Sequence, residues 1–416
     1  MKKVSLLLGL LIAITAPAFA QQGPVPTGIP HLDHVFVIMM ENHGYKEILN
    51  NPNAKFINSY AKANNLATNY FAVAHPSLTN YLEVVGGSNF GVLSDNPPDW
   101  HNHTCQTNLE TGVPNTDNPP SPNICPIHGS GTDAATPALD CSNEVTGPPC
   151  EVNIDGKMSF PAVSTTLAIT IADQLATAGL TWKTYQENLP TTGPDKINYS
   201  DGNFTNLTDF TKIKPILNPP LTNSDIVQLY AVKHNPFAYF RTVQQGTNPL
   251  VSYAQMAEVE GAGGLWADLA SGNVPNFSFI VPNQCNDQHG RGNGTAFCNY
   301  DPNDDGKQSG LNPALIILGD QVVQKIVNAI HSSPVWNQGN NAIVLTWDEN
   351  DYAVQPIINQ VVTVVDTNYG FHGIQSNQFY LSFSLLRSLE GGFGLPCLNH
   401  ACDSSTAAMS DLFGAQ

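Results

Sequence analysis

The feature that most constrains this chain is a repeated one: strand-length apolar runs that end in acid, amide or imidazole side chains. In HVFVIMMENHGY the run Val35 to Met40 passes straight into Glu41, Asn42 and His43. Ala342 to Trp347 is followed by Asp348 and Glu349, and Phe277 to Val281 by PNQCNDQHG, with Asn283, Asp287 and His289. Helical patterns fall between such runs: Thr165 to Ala178 ahead of Gly179, and Pro313 to His331 with Ile317, Val323, Ile326, Val327 and Ile330. With a further run at Val361 to Val365, the alternation predicts an α/β fold with a mainly parallel sheet and helices on both faces. Ligands of such sheets collect beyond the carboxyl ends of the strands, so the residues after each run are candidates for one site. One polar strand end is ordinarily a solvated loop. Three in one chain point further.

Bringing Glu41, Asn42, Asp348 and Glu349 together would crowd three carboxylates, which repel and lose hydration unless a cation sits among them. Oxygen-rich donors suit calcium, magnesium or manganese; zinc or iron with added histidine stays open. One metal site is therefore expected. In AHPSLTNYLEVVGG, residues 74–87, Ser77 falls at the start of a helical pattern. A serine there is most often an N-cap, but beside a metal a hydroxyl becomes a nucleophile.

The ends and the bulk charge narrow the function classes. Met1-Lys2-Lys3, the apolar stretch Val4 to Ala16 and Ala18-Phe19-Ala20 read as a signal peptide over 1–20, leaving a single domain at 21–416 that is secreted or periplasmic. A net charge of -18 with only 16 Lys and Arg argues against nucleic-acid binding and against anionic lipid surfaces. No later run reaches the roughly 18 uninterrupted apolar residues of a membrane span, so stable membrane insertion is not expected. An anionic substrate must therefore meet local positive charge, from a metal or oriented N–H groups. All eight cysteines lie beyond residue 100, none in a CxxC pair, and are expected in disulfides; Cys141 with Cys150 and Cys397 with Cys402 are the local options. Residues 97–160 hold ten of the 31 prolines and four of the cysteines, and read as a loop-rich insertion near the site.

Six elements in one order carry a resemblance: Glu41-Asn42; His-Pro-Ser-x-x-Asn at 75–80 with Gly87 beyond it; GVLSDN ending at Asn96; HNPFAYF from His234; NFSFIVPNQCNDQH; and WDEND. From about His34 to Asp403 the chain resembles the bacterial phosphoesterase family, metal-dependent acid phosphatases and related phospholipases C of the alkaline phosphatase superfamily. The resemblance implies an alkaline-phosphatase-like sheet and a phosphate-ester substrate. It implies Glu41, Asn42, Asp348 and Glu349 as metal ligands and Ser77 as nucleophile, with Asn80 and Asn96 holding phosphate oxygens. His75, His234, Asp287, His289 and His372 stand where the superfamily places phosphate contacts, proton donors or a second metal set, and their individual roles stay open.

A phospholipase C cleaving phospholipid headgroups and a non-catalytic secreted binder are the alternatives. A sulfatase is disfavoured, because Ser77 is followed by Leu78-Thr79-Asn80 and not by the x-P-x-R context that formylglycine formation requires. Among lesser features, DPNDDG at 301–306 reads as a solvated turn more readily than a calcium loop, since the twelfth position is Asn312. His101, His103 and His128 read as exposed side chains of the insertion. Trp182 and Tyr185 suit a buried strand, with Glu187 after it a weaker site candidate.

Overall fold

The computed structural model describes residues 22–90, 169–189, 229–240, 246–290, 298–303, 305–351 and 359–414, with short strands at 132–134 and 159–161 and positions 197, 242 and 243. The strands in chain order are β1 (His34–Met40), β2 (Asn65–Ala67), β3 (Tyr70–Phe71), β4 (Thr132–Ala134), β5 (Ser159–Pro161) and β6 (Trp182–Gln186). They continue with β7 (Met256–Ala257), β8 (Phe277–Val281), β9 (Asn341–Trp347), β10 (Thr363–Thr367), β11 (Gln375–Ser376) and β12 (Tyr380–Leu381). The principal helices are α1 (Tyr45–Ile48), α2 (Lys55–Ala63), α3 (Ser77–Gly86), α4 (Ile171–Thr177), α5 (Leu265–Ser271), α6 (Pro313–Ser332) and α7 (Ser382–Phe393).

Eight strands form one sheet in the order β11-β2-β10-β9-β1-β8-β6-β7. All neighbouring pairs are parallel except those of β10, which runs antiparallel to both β9 and β2. β8 and β9, and all of β1 after His34, are buried, as strands covered on both faces must be, and this is why they read as continuous apolar runs rather than alternating ones.

Alternation along β8 shows the two layers. Phe277 meets Phe393 of α7, and Phe279 meets Tyr81 of α3 edge-on, with centroids 6.2 Å apart. Ile280 points the other way and lines a cavity of about 200 Å³ with Val322 and Ile326 of α6. Helices α3, α4 and α7 thus pack together on one face, and α2, α5 and α6 on the other.

The expected helix over 313–331 is α6, opened by Pro313 and by an Asn312 side chain that accepts from the Ala314 N–H. Ile317, read as core-facing, is 39% exposed, because Ile316, Val323, Ile326, Val327 and Ile330 define the buried stripe and position 317 falls off it. Among the described residues α6 is also the one helix long and apolar enough to cross a membrane, and half of it is buried within this fold. Gly319 in this helix lets Gln288 approach: a Cβ there would lie 2.3 Å from the Gln288 Cγ. Gln288 uses that approach to donate to Ile316 O and accept from the Trp347 indole, tying α6 to the ends of β8 and β9.

Two disulfides are described, Cys285–Cys298 and Cys397–Cys402. The second is one of the local options and the first is not. Cys105, Cys125, Cys141 and Cys150, with His101, His103 and His128, lie outside the described residues.

Candidate active site

Four adjacent parallel strands, β9, β1, β8 and β6, end at the same edge, so the residues after them are brought together by the sheet itself. Backbone bonds extend the ladder past the strand ends: Asp348 N–H donates to Met40 O at 3.0 Å, Glu41 N–H to Asp287 O at 2.9 Å, and Glu187 N–H to Val281 O at 3.0 Å. Glu41, Asp348, Glu349 and Asp287 are all buried as a result. Asn42 adopts a left-handed backbone, φ 60°, which asparagine tolerates better than most residues. This turn aims the Asn42 N–H at Asp348 Oδ1, 3.1 Å away, and its carboxamide at Asp351, 3.3 Å away.

From the opposite side comes α3. Pro76, after a cis peptide, occupies the N-cap, and Ser77 is the first helical residue and makes no capping bond. Its hydroxyl instead faces Glu349 Oε1 at 3.0 Å and Glu41 Oε2 at 3.3 Å. The capping reading of Ser77 therefore gives way to a hydroxyl aimed at the carboxylates. At the other end of α3, Gly87 has φ 73° and lies so close to Leu398 that a Cβ would sit 2.4 Å from its carbonyl oxygen. Only glycine satisfies both demands.

The histidines separate into groups. His234 is clamped between Glu41 Oε1 at 2.9 Å and Asp287 Oδ2 at 3.3 Å, with its ring stacked on Tyr81 at 5.4 Å. His75 Nε2 bonds Asn350 O at 2.7 Å and lies 3.8 Å from Glu349. His289 sits on the more exposed side, its ring centroid 5.7 Å from that of His234. His372 is not part of this group. It is exposed in the turn after β10, and because β10 is antiparallel that turn lies at the opposite end of the sheet.

Asn80 lies one turn along α3 from Ser77, but its amide is occupied: Oδ1 accepts from Val73 and Ala74 N–H, and Nδ2 donates to Ala74 O and Glu349 Oε2. A contact with substrate would have to replace one of these bonds. Asn96 lies outside the described residues.

Burial and crowding shift the acids in one direction. Asp348 is held well above the ordinary carboxylate range, by burial first and then by the neighbouring Glu41 charge. Asp287 is pushed up to about 7 by burial, against the pull of His234. The Tyr81 hydroxyl is likewise driven up by burial and by Glu41, Asp348 and Asp287. Asp348 Oδ2 is buried without a hydrogen-bond partner. A buried carboxylate oxygen left in that condition, beside two other carboxylates, fits a divalent cation. Nitrogen donors allow a second arrangement, since ligand atoms of Glu41, His234 and His289 lie within 4.8 Å of one another.

Three further residues of this neighbourhood were given no role by the sequence. His43 is buried and joins Glu41 O at 3.1 Å to Asp301 Oδ2 at 2.9 Å. Burial pulls its imidazole down, but the hydrogen bond and charge of Asp301 outweigh this and lift it to about 9. Asp301, read as part of a solvated turn, also caps α6 from a distance through the Asn312 N–H. Lys233 lies 3.3 Å from His289 Nε2. For ENH the triplet itself was the available clue; for Asp301 and Lys233 only the fold supplies the partner.

Residues 47–396 match the family model described as the phosphoesterase family. The phosphatidylinositol-3-phosphatase of Mycobacterium tuberculosis is 23% identical over 99% of this chain and 93% of its own length. An acid phosphatase of Aspergillus fumigatus is 24% identical over 87% of this chain, which spans 55% of that protein. Among solved structures, a protein in the alkaline phosphatase superfamily from Vibrio parahaemolyticus is similar over 92% of this chain and 72% of its own, with a TM-score of 0.44 and 10% identity.

Proposed function

The chain belongs to the phosphoesterase family, whose chemistry is phosphate-ester hydrolysis, and on that premise we propose that it is an exported, metal-dependent phosphatase acting through a phosphoseryl intermediate on Ser77. The observation that carries this reading is the Ser77 hydroxyl at the buried start of α3, within hydrogen-bond reach of Glu349 and Glu41. Both relatives described above carry the word phosphatase in their names, which favours release of a terminal phosphate over cleavage of a headgroup diester. The two disulfides and the leader-like first 20 residues support export.

Glu41, Asp348 and Glu349, with Asn42 beside them, would hold the divalent metal. Bound there, it would offset their mutual repulsion and draw charge from the phosphate oxygens. Ser77 Oγ attacks phosphorus as its proton passes to Glu349 Oε1, the nearer acceptor. The ester P–O bond then breaks, and the leaving oxygen takes a proton from the His234–Asp287 pair. Water cleaves the phosphoserine in reverse order, returning a proton to His234 and the hydroxyl proton to Ser77.

The test is hydrolysis of p-nitrophenyl phosphate with and without chelation, combined with acid quenching during turnover. The expected results are activity that returns when divalent metal is restored, and phosphate trapped on the peptide containing Ser77. Full turnover by metal-free protein would sink the metal assignment, and full turnover by Ser77→Ala the nucleophile.

A further inference from the structure

A metal ligand is only as well placed as the backbone that carries it, and Glu41 and Asn42 leave β1 on a turn crowded by acids. Two bonds tie this turn to other members of the site: Glu41 N–H donates to Asp287 O at 2.9 Å, and Asn42 N–H to Asp348 Oδ1 at 3.1 Å. Carboxylates as close as those of Glu41 and Asp348 repel one another when ionised. These bonds by themselves therefore hold the turn to the groups it repels.

His43 supplies an anchor from outside the acid cluster. Its buried ring folds back on Glu41 O, which can only accept, so Nδ1 carries a proton and donates at 3.1 Å. On the other side of the ring, Nε2 meets Asp301 Oδ2 at 2.9 Å. Asp301 Oδ1 in turn accepts from the N–H of Asn312, the N-cap of α6. The imidazole thus joins the Glu41 carbonyl to the start of a 20-residue helix. A covalent link closes the path: Cys298, just before Asp301 in the chain, is bonded to Cys285, just before Asp287. Both backbone groups of Glu41 are therefore held by one disulfide-joined pair of loops, the N–H by Asp287 O and the carbonyl through His43 and Asp301. The carboxylate between them has its Oε2 3.3 Å from the Ser77 hydroxyl.

We propose that His43 and Asp301 are positioning residues of the metal site: they hold the Glu41-Asn42 turn in the geometry a divalent cation requires, and so set the affinity of that site. This rests on the proposed metal-dependent reading, and it gives that reading two residues beyond the ligands themselves. Hydrogen-bonded partners that orient metal ligands commonly decide roughly 10- to 100-fold in affinity. A buried pair with a purely structural role would support stability and leave affinity alone.

The experiment titrates Mn²⁺ and Zn²⁺ by calorimetry into chelator-stripped wild type, His43→Gln, His43→Asn, Asp301→Asn and Asp366→Asn, with the denaturant stability of each metal-free protein measured alongside. The amide nitrogen of glutamine stands in for Nε2 and that of asparagine for Nδ1, so each His43 variant keeps one link of the path and loses the other. Asp301→Asn is nearly isosteric, and it tests the same path if the His43 variants do not fold. All three should raise Kd for the ion that wild type binds more tightly by roughly 10- to 100-fold. Asp366→Asn weakens the acceptor of Tyr60 and His331 at the opposite end of the sheet, and is the control for stability loss alone. It should lower stability and leave Kd within about 3-fold of wild type. Unchanged affinity in the His43 and Asp301 variants, or an equal loss in Asp366→Asn, would overturn the assignment while wild-type binding upholds the metal site. If wild type binds neither ion, the metal-dependent reading itself fails and the positioning role falls with it.

Discussion

Two sets of buried carboxylates lie a few residues beyond neighbouring strand ends, and they are treated in opposite ways. At the end of β6, Glu187 is buried, yet its oxygens accept from Asn283 N–H at 2.9 Å and from Asn286 Nδ2 at 2.9 and 2.7 Å. At the ends of β1 and β9, Glu41 and Glu349 face the Ser77 hydroxyl, and Asp348 Oδ2, beside the Glu41 charge, has no hydrogen-bond partner. The first set fastens the loop that carries Asp287 and His289. In the second, Asp348 is left short of a donor at Oδ2 beside the Glu41 charge. Burial by itself does not mark a functional acid; burial without sufficient donors does.

The difference can be broken most forcefully at Ser77. Ser77→Ala should reduce phosphate-ester turnover by roughly 10³- to 10⁶-fold while the fold survives, because the hydroxyl makes no capping bond and its loss removes only the proposed nucleophile. Steady-state kinetics with circular dichroism on the same sample checks both halves. A variant with turnover near wild type would return Ser77 to a packing role.

Asp348→Asn should abolish most activity and lower metal content by mass spectrometry, and yet stabilise the metal-free chain at neutral pH by on the order of 1–3 kcal/mol. The sign follows from the raised carboxyl. In the unfolded chain this group releases its proton near its ordinary value of 3.8, whereas the fold retains it to higher pH. The native state therefore loses relative stability as pH rises above that value. The gain from asparagine should vanish in acid and appear towards neutrality, which denaturant titrations at pH 4 and pH 7 would reveal. A destabilised metal-free Asp348→Asn at pH 7 would contradict the idea of an unresolved cluster.

Glu187→Gln sharpens the contrast from the other side. It should cost about 1–3 kcal/mol of stability in acid, since an acceptor oxygen facing the Asn283 and Asn286 donors becomes an NH2 group, and the cost should shrink towards neutrality. Turnover should fall by less than about 10-fold, through the loosened loop before Asp287 and His289. A loss as large as that of Ser77→Ala would make Glu187 a participant in the chemistry.

The smallest effect expected is on the pH dependence of stability. Burial first, against the opposing Asn283 and Asn286 hydrogen bonds, lifts Glu187 from 4.5 to about 7. Its contribution is therefore present below pH 4.5 and is lost between 4.5 and about 7, so Glu187→Gln should flatten the fall in stability over that window. An unchanged pH slope in the variant would show that Glu187 does not titrate there.

The sequence by itself determined the parts that depend on local pattern. Continuous apolar runs announced β1, β8 and β9 within a residue of their observed bounds, because strands covered on both faces cannot alternate. The acids after those runs were legible as a cluster for the same reason: parallel strands deliver their successors to one edge. What the sequence left open turns on direction and partner choice. His372 sits in a motif-like position, but the antiparallel sense of β10 carries it to the far end of the sheet. Ser77 has the sequence look of an N-cap; the placement of Pro76 ahead of it and of Glu349 opposite turns its hydroxyl into the site. Glu187 and Asp348 share one pattern, an acid after a buried strand, and only the donors that tertiary packing brings to each decide which is anchored and which is exposed to its neighbours' charge. His43 with Asp301, and Lys233 with His289, are partners 258 and 56 residues apart in the chain. No local spacing encodes such pairs, because each exists only once the loops beyond the sheet edge have closed on one another.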